Sequence, residues 1–564
     1  MTDASAATPS PVEPAAATAA TAAARPATSL RKDAPVGSRP FGRLLVANRG
    51  EIAVRIFRAC RELGIETVAV YSDADARAGH VRAADTAVRI GPAPAPESYL
   101  RIDAIVDAAL ATGAEAIHPG YGFLAERASF ARAVEDAGLI FVGPSSSTIL
   151  ALGDKLAARR ASSAAGVPVV PGTLEPAAVD RPDRLEGVLA EAERIGFPLL
   201  VKAAAGGGGR GMRRVSAPME LPVALATAAA EALAAFGDGT VYLEREIRPA
   251  RHVEVQLLGD AFGAIVALGE RDCSVQRRHQ KLIEEAPAPG LSTDERRHLH
   301  ELGLRAARAA GLRNAATAEF LFDEARDFWF LEVNTRLQVE HGVTELVSGV
   351  DIVREQLAIA AGRPLSPAVL RAAEEAAEPR RHAIEVRISA EDPARAFAPA
   401  PGPITRWVVP SGPGVRVDTA IEAGDRIPPD YDPLVAKLLV VDDDRQLALD
   451  RLGRALDEVE IGGVQTTLPF HRFMARDAGF REGPPPIDWV DETWAERLVP
   501  GRQAALEAAR AAAAAAETAG VARGIPNERP AEAGLTADRR DAQPSGTTAW
   551  TRAGRIESVD RWPR

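Results

Sequence analysis

Two largely apolar runs, Thr317–Asp323 and Phe328–Asn334, stand four residues apart, three of them charged, a spacing that directs this stretch into an antiparallel hairpin. With Glu324–Asp327 as the turn, Asp323 faces Phe328 and Glu319 faces Glu332. Residues alternate across a strand, so the two carboxylates share one face. Like charges about 4 Å apart repel by about 4 kcal/mol at an effective dielectric of about 20. A hard cation between them turns that repulsion into binding, and all-oxygen donors favour Mg²⁺. Asn334, two residues beyond Glu332, shares its face. A solvent-facing charged strand is the plainer explanation. Phe320, Phe322, Phe330 and Leu331 argue against it, because they require a largely buried sheet.

The alternation continues through Glu332-Val-Asn-Thr-Arg-Leu-Gln-Val-Glu340, which predicts one strand over Phe328–Val339. An extended chain would project Glu332, Asn334, Arg336, Gln338 and Glu340 into one pocket. Such a row suits a cation at one end and a small planar anion, such as bicarbonate, near Arg336. Glu340 is then a candidate general base.

Upstream, Lys202-Ala-Ala-Ala-Gly-Gly-Gly-Gly-Arg-Gly-Met212 carries a strand, Pro198–Lys202, into four consecutive glycines. Their amides can approach phosphate oxygens because no Cβ intervenes. The lysine precedes the glycines and no Gly-Lys-Ser/Thr follows, so this is not a P-loop. A linker would seldom be flanked by Lys202, Arg210 and Arg213, which favours a phosphate-covering lid. Glu270-Arg-Asp-Cys-Ser-Val-Gln-Arg-Arg-His-Gln-Lys281 is a second cationic stretch, fit for the floor of a nucleotide site. His252 and His279 lie outside any ligand-spaced cluster, so the spacing predicts no metal role for them. Only five of the 67 basic residues are lysines: Lys32, Lys155, Lys202, Lys281 and Lys437. Arg serves almost everywhere else, so the four lysines inside these dense stretches mark positions that need a compact ammonium.

The first ordered stretch reads as alternating strands and helices. Arg43–Asn48 is apolar, Ile52, Ile56, Phe57, Cys60 and Leu63 have helical spacing, and strands are expected at Thr67–Tyr71, Ala116–His118 and Leu139–Val142. A single glycine follows the first strand, so a dinucleotide fingerprint is absent. Leu221–Ala235 reads as a helix, His252–Leu258 as a strand, and Arg502–Ala519 as a solvated helix.

Taken together, the motifs from about Phe41 to Trp494 resemble the biotin carboxylase family of the ATP-grasp fold. The matching strings are Leu45-Val-Ala-Asn-Arg-Gly-Glu-Ile-Ala, His118-Pro-Gly-Tyr-Gly-Phe-Leu, Gly153-Asp-Lys, the glycine run, Arg251-His-Val-Glu, the stretch Glu270–Lys281, Glu332–His341 and Tyr431-Asp-Pro-Leu-Val-Ala-Lys. The resemblance implies a mixed α/β and α+β architecture. Its parts would be a Rossmann-like N-terminal domain at 41–155, a glycine-rich lid at 156–243, an ATP-grasp core at 244–380 and a biotin carboxylase C-terminal domain at 381–500. Composition, not the resemblance, adds a disordered Ala/Pro-rich tail at 1–40 and an Ala-rich extension at 501–564 fit for docking a partner.

The roles it implies are specific. Lys155, Lys202, Gly207, Gly208, Gly209, Glu244, Ile247, His252, Gln276, His279 and Lys281 would contact ATP. Glu319, Glu332 and Asn334 would hold Mg²⁺ (or Mn²⁺). Arg336, Gln338 and Val339 would cradle bicarbonate, Glu340 would deprotonate it, and Tyr121 and Arg387 would meet biotin. Arg336, Glu340, Arg387 and Lys281 are thus the expected catalytic set. The chain departs from the family at Ala125-Glu-Arg127, Ala205, Gly342 and Thr467, none of which carries an implied role.

Other features bound the setting. The chain contains no Met-Lys pair, the usual site of biotin attachment, so biotin is expected on a separate carrier protein, with a carboxyltransferase subunit and a homodimeric arrangement. A net charge of −11 argues against general nucleic-acid binding. The cysteines, Cys60 and Cys273, are far apart, and neither a membrane-length apolar run nor a basic, apolar leader is seen, so a cytoplasmic setting is expected. The leading expectation is the biotin carboxylase subunit of an acyl-CoA carboxylase. The alternatives are the same component of a two-chain pyruvate carboxylase, another ATP-grasp ligase, and a non-catalytic scaffold.

Overall fold

The computed structural model describes residues 40–177, 182–204 and 212–495. Gly207, Gly208 and Gly209, the tail before residue 40 and the helix expected at 502–519 lie outside the described residues.

Strands β1 (Arg43–Val46), β2 (Glu66–Ser72), β3 (Thr86–Gly91), β4 (Ala116–His118) and β5 (Ile140–Phe141) form a parallel sheet in the order β3-β2-β1-β4-β5. Helices cover both faces, so the inner strands read as unbroken apolar runs. Leu44, Leu45, Val68 and Val70 are fully buried. The edge strand β3 did not announce itself in the sequence, because its first residues are exposed and polar groups interrupt it.

A small antiparallel sheet follows, ordered β7-β6-β8, from β6 (Leu199–Ala203), β7 (Arg213–Val215) and β8 (Val241–Arg245). Helices Pro182–Ile195 and Leu221–Phe236 pack on it, and Val201, Val215, Leu225 and Leu243 fill its own core. β6 carries Lys202 toward the glycine run.

The remaining strands build one antiparallel sheet of eight. It comprises β9 (Ala250–Gly259), β10 (Ile265–Arg277), β11 (Gln280–Ala286), β12 (Asn314–Asp323), β13 (Phe328–Asn334) and β14 (His382–Ser389), with Leu434–Asp442 and Val415–Thr419. Its order is β13-β12-β9-β10-β11-β14, then Leu434–Asp442 and Val415–Thr419. Residues on both sides of residue 380 therefore share a sheet. No helix among the described residues is long and apolar enough to cross a membrane.

The hairpin departs from expectation in two places. Glu319 does face Glu332, but Phe328 faces Phe322 rather than Asp323, and a bulge between Glu319 and Phe320 takes up the extra residue. Asp323 instead closes the turn, its carboxylate accepting from the Asp327 amide at 2.9 Å and the Trp329 indole at 2.8 Å. The second departure is that β13 stops at Asn334. Residues 335–340 leave the sheet and lead into a helix at His341–Ser348, so they form no extended row. Two side chains, one adjacent in the chain and one distant, hold this turn. His341 Nδ1 donates to the Gln338 carbonyl and Lys437 Nζ to the Val339 carbonyl, each at 2.8 Å.

Candidate active site

Antiparallel pairing sets β9, β12 and β13 side by side, so Glu254, Glu319 and Glu332 come into register across three strands. Three carboxylates on one face, with Glu254 and Glu319 buried and Glu332 partly so, demand positive charge. Lys281, on β11, supplies it, its ammonium lying 2.6 Å from Glu254, 2.6 Å from Glu340 and 3.1 Å from Glu319. Arg271, fully buried on β10, donates to Glu254 at 2.6 Å, Gln256 at 2.8 Å and the hydroxyls of Thr344 and Thr317 at 2.9 and 3.2 Å.

Glu340 accepts on its second oxygen from Arg387 at 2.8 Å, and Arg387 also donates to Glu284 at 2.6 Å. Burial by itself would push the Glu340 carboxyl up. Lys281, Arg387 and Arg271 outweigh it and hold the group well below the usual carboxylate range. Glu284 shows the opposite balance: burial dominates, and its carboxyl is pushed up to about 7 despite Arg387.

At the other end of the row, Glu319 accepts from Asn334 Nδ2 at 2.8 Å and pairs with His252 at 3.1 Å. Burial disfavours charge on His252, yet Glu319 raises its pKa. His252, Glu254 and Glu319 do converge tightly enough to suggest a metal cluster, contrary to the spacing argument. Lys281 already sits among them, however, so this end has its cation. Glu332 pairs with Lys155 at 2.7 Å. The face shared by Glu319, Glu332 and Asn334 remains an all-oxygen donor set when the Asn334 carbonyl is counted, and it fits a hard divalent ion.

In the turn, Arg336 donates to Gln338 Oε1 at 2.7 Å, Asn334 Oδ1 at 3.2 Å and Glu126 at 2.8 Å. Of the expected row, Asn334, Arg336 and Gln338 are joined through a turn rather than along a strand, while Glu332 turns to Lys155 and Glu340 to Lys281 and Arg387. Val339 presents its carbonyl to Lys437.

A cavity of about 160 Å³ opens beside this network, where β8 meets the large sheet. Of the set the resemblance implied, Lys202, Glu244, Ile247 and His279 line it and Lys155, His252, Gln276 and Lys281 do not. Apolar Val170, Leu200, Leu321, Leu331 and Ile487 and charged Arg245, Glu246, Arg248, Asp488 and Asp491 complete the lining. Lys202 and Arg159 both pair with the buried Glu244, the former at 2.6 Å. His279 takes a left-handed backbone (φ 66°) in the turn between β10 and β11. Its pKa is lowered by burial and by Lys202. Gln276 faces Lys281 across that same pair of strands. A lining that mixes apolar side chains with both basic and acidic ones suits a flat base carrying a charged tail.

Tyr121 lies near Arg387, and its hydroxyl donates to Glu51. The sequence did not single out Arg271, Glu254, Glu284, Glu51 or the apolar cavity wall. Lys437 stood out in it as one of the few lysines and as the end of the string Tyr431-Asp-Pro-Leu-Val-Ala-Lys, with no role attached.

Three family models match: Biotin carboxylase, N-terminal domain, over residues 40–149; Carbamoyl-phosphate synthase L chain, ATP binding domain, over 154–368; and Biotin carboxylase C-terminal domain over 385–492. The biotin carboxylase of Allochromatium vinosum is 49% identical over 450 residues, covering 80% of this chain and 98% of its own. A pyruvate carboxylase subunit from Methanothermobacter thermautotrophicus is 48% identical over 453 residues, covering 80% and 90%. Among solved structures, the biotin carboxylase domain dimer of Hydrogenobacter thermophilus 2-oxoglutarate carboxylase, in complex with MgADP, ADP and bicarbonate, superposes with a TM-score of 0.76. It is 45% identical, and the match covers 80% of this chain and 97% of that one.

Proposed function

The chain belongs to the biotin carboxylase family, an ATP-dependent ligase family, and we propose that it carboxylates biotin on a separate carrier protein as one component of an acyl-CoA carboxylase. The observation that supports this most is Glu340, a buried carboxylate shared between Lys281 and Arg387 and set one turn from the opposed pair Glu319 and Glu332.

In this reading ATP lies in the cavity, its base against Ile247, Leu321, Leu331 and Ile487 beside Glu244. Gln276, His279 and His252 lie toward the ribose, and Lys155, Lys202, Lys281 and Gly207–Gly209 toward the phosphates. Glu319, Glu332 and Asn334 would hold Mg²⁺ (or Mn²⁺), which supplies charge neutralisation at the phosphate oxygens when bound. Arg336, Gln338 and the backbone at Val339 hold bicarbonate, and Glu340 accepts its proton. The bicarbonate oxygen then attacks the γ-phosphorus as the bond to ADP breaks, giving carboxyphosphate. Carboxyphosphate separates into CO₂ and phosphate, and phosphate takes the N1′ proton of biotin. The negative charge that develops on the ureido oxygen falls to Arg387, with Tyr121 beside the ring. N1′ then bonds to CO₂. Lysine and arginine groups fixed in advance where charge grows are the main source of acceleration in such steps.

A homodimer, a biotin carboxyl carrier partner, a carboxyltransferase partner and a cytoplasmic setting complete the proposal. A second reading, the corresponding component of a two-chain pyruvate carboxylase, is favoured by the 48% identity to the Methanothermobacter thermautotrophicus protein. The half-reaction is common to both.

The test is ATP hydrolysis by the purified chain with Mg²⁺, bicarbonate and free biotin, each omitted in turn. Turnover that rises with biotin and vanishes without bicarbonate is expected. Turnover indifferent to both would overturn the reading. Adding carrier and carboxyltransferase partners with acetyl-CoA, propionyl-CoA or pyruvate then identifies the acceptor.

A further inference from the structure

Of the four lysines in the dense motif stretches, Lys437 has no part in the scheme above, and it is the one whose side chain is fully buried. It lies in the strand Leu434–Asp442, opposite Arg387 on β14. Its ammonium makes two contacts with segments far apart in the chain. It donates to the Val339 carbonyl at 2.8 Å and sits 3.2 Å from Glu51 Oε1, in the first turn of helix Gly50–Glu62.

Each contact leads to a different half of the site. The Val339 carbonyl belongs to the peptide that links Val339 to Glu340, so the ammonium fixes the orientation of that plane and of the N–H that Glu340 contributes to it. Glu51 in turn accepts from the Tyr121 hydroxyl. The Asn48 amide holds the other end of that segment, donating to the carbonyls of Pro119 and Tyr121 at 2.8 and 2.7 Å. One ammonium thus stands between the turn that carries Gln338, Val339 and Glu340 and the loop that carries Tyr121. A planar guanidinium presents its donors in a flat fork. An ammonium presents three on a point, and that suits a carbonyl and a carboxylate arriving from separate segments. A lysine kept in a chain that otherwise uses arginine is consistent with that demand.

We propose that Lys437 is a positioning residue that aligns the bicarbonate-holding turn with the biotin-facing Tyr121 through a buried Val339–Lys437–Glu51–Tyr121 relay. The assignment rests on the functional reading given above. It separates two kinds of ligand: bicarbonate and biotin depend on the relay, whereas the ATP cavity is built from other residues.

The experiment compares wild type, Lys437→Met and the double variant Lys437→Met with Glu51→Gln, as full chains, by steady-state ATP hydrolysis with free biotin and by thermal unfolding. The double variant removes the Glu51 charge together with the ammonium and leaves Arg387 to offset the buried Glu385, so it serves if the single variant does not fold. In the folded variants the KM for bicarbonate and for biotin should each rise at least tenfold while the KM for ATP stays within twofold. A drop in kcat alone, or equal changes in all three KM values, would overturn the positioning role. Collapse of both variants would make Lys437 a structural brace and overturn it too. If wild type itself shows no bicarbonate dependence, the functional reading falls and takes this assignment with it. Wild-type bicarbonate dependence with unchanged variant KM values refutes the assignment alone.

Discussion

Replacing Glu340 by Gln changes one oxygen to an amide group at the point where two cations meet. At 2.6 Å from Lys281 and 2.8 Å from Arg387, with an effective dielectric of about 20, each contact is a gross attraction of roughly 6 kcal/mol. Desolvating a buried carboxylate costs several kcal/mol, which is less than the two attractions together, so Glu340 stays ionised. Its pKa is held down, and the sign follows: the group remains a proton acceptor down through the mildly acid range. Loss of a general base typically costs about 10²- to 10⁴-fold in rate, or about 3–5 kcal/mol of barrier. Glu340→Gln should therefore lower bicarbonate-dependent ATP cleavage by at least about 100-fold, alongside a stability loss of about 3–5 kcal/mol from the two buried cations left without their carboxylate, so activity is compared on folded protein. The assay is phosphate release at saturating ATP over pH 5.5–8.5. Wild type should show no acid limb attributable to Glu340 in that window. A variant within tenfold of wild type, or a wild-type acid limb abolished by the substitution, would refute the reasoning.

Arg387→Met should reduce formation of carboxybiotin from labelled bicarbonate by on the order of 100- to 1000-fold, as expected when a donor to developing negative charge is removed, and a loss under tenfold would contradict its role. Ile487→Ala, on the apolar cavity wall, should raise the KM for ATP by on the order of tenfold and leave that for bicarbonate unchanged, because about 1.5 kcal/mol of apolar contact is removed. A rise in both would show that the cavity is not specific to the nucleotide. Glu285 is buried between His382 at 2.8 Å and Arg445 at 2.7 Å. Burial opposes its charge, but those partners hold its pKa down to about 2. A folded-state pKa below the unfolded one gives stability that is present above about pH 4.5 and fades as pH falls toward 2. Glu285→Gln should thus cost on the order of 3 kcal/mol at pH 7, read as a shifted guanidinium midpoint, with the gap narrowing between pH 4.5 and 3. A gap independent of pH would refute the linkage.

Periodicity and turn spacing were enough to find β12 and β13 and to set Glu319 against Glu332, because a two-residue alternation bounded by a short turn allows few registers. The same logic failed six residues later. The alternation of residue types runs on past Asn334 where the strand does not, and the turn that replaces it is held by a short-range bond from His341 and a long-range one from Lys437. Likewise, the edge strand β3 lacks the apolar run that marks its neighbours.

Residue type and order in the chain by themselves determined the fold class, the family resemblance and the opposed carboxylates. These follow from short-range rules or from long strings matched whole. The tertiary structure alone decided how the charges neutralise one another. Lys281 meets Glu254, Glu319 and Glu340 from three other strands and turns, and Arg387 meets Glu284 and Glu340 across more than 40 positions of chain. Buried charges must find partners wherever the folded chain brings them, and sheet order rather than sequence distance sets who those partners are.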